Sequence, residues 1–124
     1  MKNNIIISII IATVALCAAG CTDKNAKAQA LLVEAISYST GEAPTLAAQD
    51  AALKLAASKG IKVTDQVPTR DVVACAGRIL CDRILTDYPQ TPAAVKAAEL
   101  RSQIEHRILV WGNERIRRAF DTND

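Results

Sequence analysis

The stretch ILTDYPQTPAAVKAAEL, residues 84 to 100, decides the fold. Its first residues close a helical pattern, and Tyr88-Pro89 stops it, because proline disfavours helical geometry in the residue before it. Thr91-Pro92 then starts a new helix. A threonine hydroxyl caps free backbone N–H groups, and proline suits the first helical position, where its missing N–H is no loss. The alanines at 93, 94, 97 and 98 favour helix and keep the returning segment thin enough to lie close to the outgoing one. A helix, a tight turn and a second helix make a hairpin.

Upstream, TRDVVACAGRILCDRILTD (69–87) reads as the first arm, with Val73, Ala76, Leu80 and Ile84 as its main face. Asp71 in its first turn complements the helix dipole. Downstream, Ala97, Leu100, Ile104, Ile108 and Trp111 form one stripe. Leu109, Ile116 and Phe120 lie about 140° round from it. Gly112-Asn113 sits at that change and predicts a kink, or a stop with a fresh cap, before ERIRRAF.

Nearer the N-terminus, Ala28, Leu31, Leu32, Ala35 and Ile36 repeat at helical spacing and predict a helix from residue 26 to near Ser39. STGEAPT (39–45) is a turn. Thr45 can cap LAAQDAALKLAASK, which Gly60 closes. Apolar residues wrap much of that helix, so neighbours are expected on more than one side. IKVTDQVP (61–68) reads as a loop, partly extended. The predicted fold is all-α: two antiparallel helical hairpins, 26–59 and 69–111, and a short C-terminal helix. At an offset of 46, Thr40, Thr45 and Ala47 align with Thr86, Thr91 and Ala93. Equal hairpins fit an α-solenoid fragment, in which each pair covers its neighbour.

The Tyr88, Pro89, Thr91, Ala94 and Ala98 pattern resembles the tetratricopeptide variant of periplasmic lipoproteins in outer-membrane assembly and of the Tol–Pal coordinator. The resemblance covers one repeat, and the first hairpin lacks the Tyr-Pro signature. It implies a tetratricopeptide-like module that binds other proteins.

The N-terminus speaks for location. Lys2 precedes an apolar run from Ile5 to Ala19, and polarity returns at Thr22-Asp23-Lys24-Asn25. That is the order of a secretory signal. The run is shorter than the roughly 20 residues that span hydrocarbon. Ala18-Ala19-Gly20-Cys21 resembles the lipobox of bacterial lipoproteins, with Ala18 where leucine is favoured. The resemblance implies cleavage between Gly20 and Cys21 and acylation of Cys21, palmitate among the chains. It divides the chain into a signal peptide (1–20), a lipidated tether (21–25) and a helical domain (26–124). Ala18-Ala19-Gly20 is equally a site for the ordinary signal peptidase, which would leave a soluble product with a free Cys21. An uncleaved anchor is the third reading. Thr22 after the cysteine implies sorting to the outer membrane.

Of the 124 residues, 50% are hydrophobic, 3% aromatic, 15 basic and 13 acidic. That balance excludes a nucleic-acid binder, which needs a clear basic excess. The 104 residues after the signal suffice for one domain. With Cys17 in the signal and Cys21 acylated, Cys75 and Cys81 remain. Six helical residues hold them about 9 Å apart along the axis, beyond the ~7 Å a disulfide tolerates. Two small buried hydrophobes are expected; an intermolecular bridge and a broken helix are the alternatives.

No catalytic or metal-ligand spacing is legible, so the chain reads as a non-enzyme without cofactor beyond the lipid on Cys21, and without a small-molecule substrate. His106 reads as solvated, and Asp82 and Asp87 as solvating charges. Trp111 is a core anchor or a binding hot spot. Near the C-terminus, Arg101, Arg107, Arg115, Arg117 and Arg118 outnumber Glu105 and Glu114 by three. Arg107, Arg115, Arg117 and Arg118 are the candidates for contact with anionic lipid or an acidic partner; dipole complementation is the plain alternative. The functional expectation is a membrane-anchored periplasmic lipoprotein that binds another envelope protein. The alternative is a small exclusion or immunity lipoprotein that blocks an incoming element or toxin.

Overall fold

The structure, a computed structural model, describes residues 18–122, and the side chains of 23–121 among them. The described residues form five helices: α1 (Ala18–Tyr38), α2 (Leu46–Ala57), α3 (Thr69–Asp87), α4 (Pro92–Trp111) and α5 (Glu114–Thr122). The fold is all-α; among the described residues the only extended pairing is an isolated bridge between Thr64 and Val67.

The boundaries follow from local chemistry. Thr45 Oγ1 accepts a hydrogen bond from the Ala48 amide at 3.0 Å and caps α2. Tyr88 closes α3 through its N–H to the Ile84 carbonyl, 2.8 Å. Thr91 does two things: its Oγ1 accepts from the Ala94 amide at 3.3 Å, and its hydroxyl donates to the Tyr88 carbonyl at 2.8 Å. The change of stripe at Gly112-Asn113 is a stop and a fresh cap. Gly112 takes the left-handed conformation (φ 73°), and Asn113 Oδ1 accepts from the Ile116 amide at 3.3 Å. At the other end, α1 starts at Ala18, so residues 22–25 are helical.

Around α3 the rest is assembled. It packs against α1, α2 and α4; α1 also touches α4, and α5 rests on α4. α3 and α4 form the hairpin expected from the Tyr-Pro turn. α1 and α2 share almost no contact with each other, each being held by α3. Gly77 explains the closeness of α1. A Cβ there would sit 3.1 Å from the Ala35 carbonyl oxygen and 3.2 Å from Ile104 Cδ1, so only a hydrogen fits comfortably. Gly41 (φ 87°) likewise has no room, because a side chain would collide with Arg70, 2.7 Å from its carbonyl oxygen.

Three expectations about faces are corrected. α2 is covered on one side only: Ala52 and Ala56 are buried, while Leu46 is 80% exposed. Its apolar circumference is mostly alanine, whose single methyl gains little from burial. α3 instead is buried almost all round, including Val72, Ala74, Cys75 and Cys81 as well as its expected face. Ile36 and Leu109 point outward, 52% and 63% exposed. Tyr38 takes an inward place on α1, with its hydroxyl donating to Glu34 Oε1 at 2.9 Å. Both cysteines of α3 are free and buried, as small hydrophobes.

Candidate functional site

The signal segment, residues 1–17, lies outside the described residues. Gly20 and Cys21 belong to the first turn of α1, and their side chains are outside those described. No helix among the described residues is long and apolar enough to cross a membrane.

The four candidate arginines do not form one patch. Arg107 Nη1 donates to the Ser39 carbonyl at 2.8 Å and ties α4 to the C-terminal end of α1. That bond satisfies a carbonyl the helix end leaves open. Arg117 pairs with Glu114 one turn back at 3.1 Å, both exposed. Arg115 and Arg118 border an open hollow of about 450 Å³ beside Arg70, Asp71 and Trp111. There the Arg70 guanidinium stacks 4.0 Å from the half-buried Trp111 ring, as a cation over a π face. Asp71, whose side chain is 3% exposed, accepts from Arg70 Nε at 3.0 Å and Asn113 Nδ2 at 2.9 Å. The cap of α5 is therefore bolted to the start of α3.

Sequence reasoning missed a second cleft, between α4 and α5 with Arg78 of α3 at its base. It holds about 360 Å³. Ile108, Leu109, Ile116 and Phe120 supply apolar wall; Arg78, Arg101 and Glu105 supply charge. Glu105 Oε1 serves two guanidiniums, Arg78 Nη2 and Arg101 Nε, each at 3.1 Å. Arg101 Nε lies equally 3.1 Å from Asp82 Oδ1. Its single hydrogen points to Glu105, so Asp82 Oδ1 keeps a charge contact without a hydrogen bond. Burial pushes the Asp82 carboxyl up, against the opposing pull of Arg101 and Arg78.

Arg78 completes the arrangement. Its side chain is 11% exposed, its guanidinium stacks 3.8 Å from the Phe120 ring centroid, and its buried Nε has no acceptor among the described residues. Lys59 approaches the same ring at 5.8 Å. Guanidinium-rich sites hold anions, not metal cations. The only sequence signal for this cleft was the Arg101–Glu105 spacing of one helical turn.

Cys75 and Cys81 offer no nucleophile. Burial pushes each thiol up to about 12, and a protonated thiol is unreactive. His106 is exposed on the outer side of α4.

Comparison with protein-family models, curated proteins and solved structures finds no match to this chain.

Proposed function

We propose that the protein is a lipid-anchored, non-enzymatic interaction module of the bacterial cell envelope. One observation carries the reading: the lipobox-like Ala18-Ala19-Gly20-Cys21 closes the apolar run, and polarity returns directly after it at Thr22-Asp23-Lys24-Asn25. The acyl chains would supply anchoring. Each buried CH₂ contributes about 0.8 kcal/mol, so two or three chains hold firmly where one exchanges. The periplasmic side of the outer membrane is the location that Thr22 favours. The helical domain then presents outward features a protein partner can use, among them Leu46, Val95, Leu109 and Val110, each more than 60% exposed.

The test is twofold. The wild-type chain is expected to incorporate labelled palmitate and to sediment with membranes, and Cys21→Ala to do neither. Membrane association and normal processing of Cys21→Ala would refute the anchoring. Crosslinking in intact envelopes, followed by purification of the chain, is expected to recover a reproducible envelope-protein partner. Recovery of a toxin alone would favour the immunity reading instead.

A further inference from the structure

We propose that the cleft between α4 and α5 is a binding site for a small amphiphilic anion: one oxyanion head group on a short apolar chain. The base of the cleft leaves one buried donor without an acceptor among the described residues. The cleft's lining carries three cations, Arg78, Arg101 and Arg117, and three carboxylates, Glu105, Glu114 and Asp121, and at its base Arg78 and Arg101 both pair with Glu105. One carboxylate oxygen, Glu105 Oε1, is shared by two guanidiniums at 3.1 Å. Arg78 Nε is buried without an acceptor. Buried donors in native proteins are nearly always paired, so the unpaired Arg78 Nε marks a place where an acceptor can sit. An oxyanion in the cleft adds an acceptor for the Arg78 guanidinium, whose one carboxylate partner, Glu105, is shared with Arg101. Charge-assisted bonds of that geometry are the strong class.

The apolar half of the ligand follows from the walls. Ile108 and Phe120 are buried beneath the cleft, and Leu109 stands at its mouth, 63% exposed. A volume of about 360 Å³ lies at the small end of the range for ligand pockets. It suits a chain of a few carbons and excludes a folded partner. At the rim Arg117 pairs with Glu114 and Asp121 adds a further carboxylate, so recognition of the anion resides at the base, with Arg78 and Arg101. The site is independent of the proposed anchoring, and its test reads the cleft and not Cys21.

The experiment uses the full chain, ¹⁵N-labelled and held in phosphatidylcholine nanodiscs, titrated with hexanoate, hexyl phosphate, hexan-1-ol and acetate. Either six-carbon anion is expected to bind with a Kd of about 1 mM or better. It should shift the amides of Leu109, Gly112 and Asn113 and the Arg78 Nε–H signal. Hexanol and acetate should each bind at least about tenfold more weakly, lacking the charge and the chain respectively. The tighter anion identifies the head group as carboxylate or phosphate. Leu109→Glu places a carboxylate at the mouth without touching the core and should weaken the anion at least about tenfold. Hexanol binding as tightly as the anions would overturn the proposal, as would shifts confined to Val33 and Ile36 on α1. So would an unchanged affinity in Leu109→Glu.

Discussion

α3 and α5 are held in place by different physics. α3 buries eleven of its nineteen residues, and its neighbours approach closely enough that Gly77 is needed where α1 crosses. α5 buries two hydrophobic side chains, Ile116 and Phe120, and adds the Asn113 cap with its bond to Asp71. The ring of Phe120 meets cations, Arg78 and Lys59, where a core ring meets carbon. Leu80 in α3 and Phe120 in α5 are both 2% exposed. Burial alone therefore does not say what a side chain is worth. What matters is how much of the molecule comes apart without it.

The largest test uses that pair. Leu80→Ala removes packing from the helix that every other large contact shares, and should lower global stability in urea by about 3 kcal/mol. Phe120→Ala deletes more carbon, yet α5 can detach alone. Its global cost should stay below about 1 kcal/mol, with amide exchange protection lost in α5 and kept in α1–α4. Equal global losses would mean α5 belongs to the same cooperative unit as α3. Next comes the bolt between the two regions. Asp71→Ala leaves Asn113 Nδ2 with only its long 3.4 Å bond to the Gln66 carbonyl and unloads Arg70, at about 2 kcal/mol in the same titration. It should also loosen α5, read as faster exchange at Ile116.

A third difference appears with pH. The Cys75 thiol is pushed up from 9.0 to about 12 by burial first and by the charge of Asp71 second, against the pull of Arg78. Its folded value lies above its unfolded one, so the unfolded chain releases the proton first. The stabilisation is complete below pH 9 and is lost progressively towards pH 12. At pH 10 the loss from Cys75 should be about 1.4 kcal/mol. Below pH 9 both cysteines should resist thiol reagents unless urea is added. Rapid native labelling would show that α3 opens locally.

The elements written in adjacent residues were legible in the sequence, and those assembled across the chain were not. Thr45, Thr91-Pro92 and Gly112-Asn113 each announce a boundary, because caps and left-handed turns are decided within a few residues. The hairpin from α3 to α4 follows from them. Which helix sits in the middle does not. α2 is apolar round much of its circumference yet lies at the edge; α3 carries Arg78, Asp82 and Arg83 yet lies at the centre. Gly77 reads in sequence only as a weak helix former, and its reason lies in α1, more than thirty residues away. The cleft is similarly hidden: Arg78, Arg101 and Phe120 share no local motif and meet only when three helices pack. The arginines near the C-terminus were visible as charge, but their division between Ser39, Glu114 and the open hollow is tertiary.

The smallest effects separate the two kinds of region again, through two threonines with the same job. Thr91 is 8% exposed and uses its hydroxyl twice, accepting from Ala94 and donating to Tyr88. Thr45 is exposed and makes one bond, to the Ala48 amide. Thr91→Ala should cost about 1 kcal/mol, since the turn and the cap fail together at the edge of the core. Thr45→Ala should cost about 0.5 kcal/mol, because water replaces the exposed bond and α2 rests on α3 by one face. Paired urea titrations on the two variants decide the matter. If Thr45→Ala proves the costlier, α2 is coupled to the core more tightly than its single buried face implies, and the division between a packed centre and a lightly held periphery has to be redrawn to place α2 with α3.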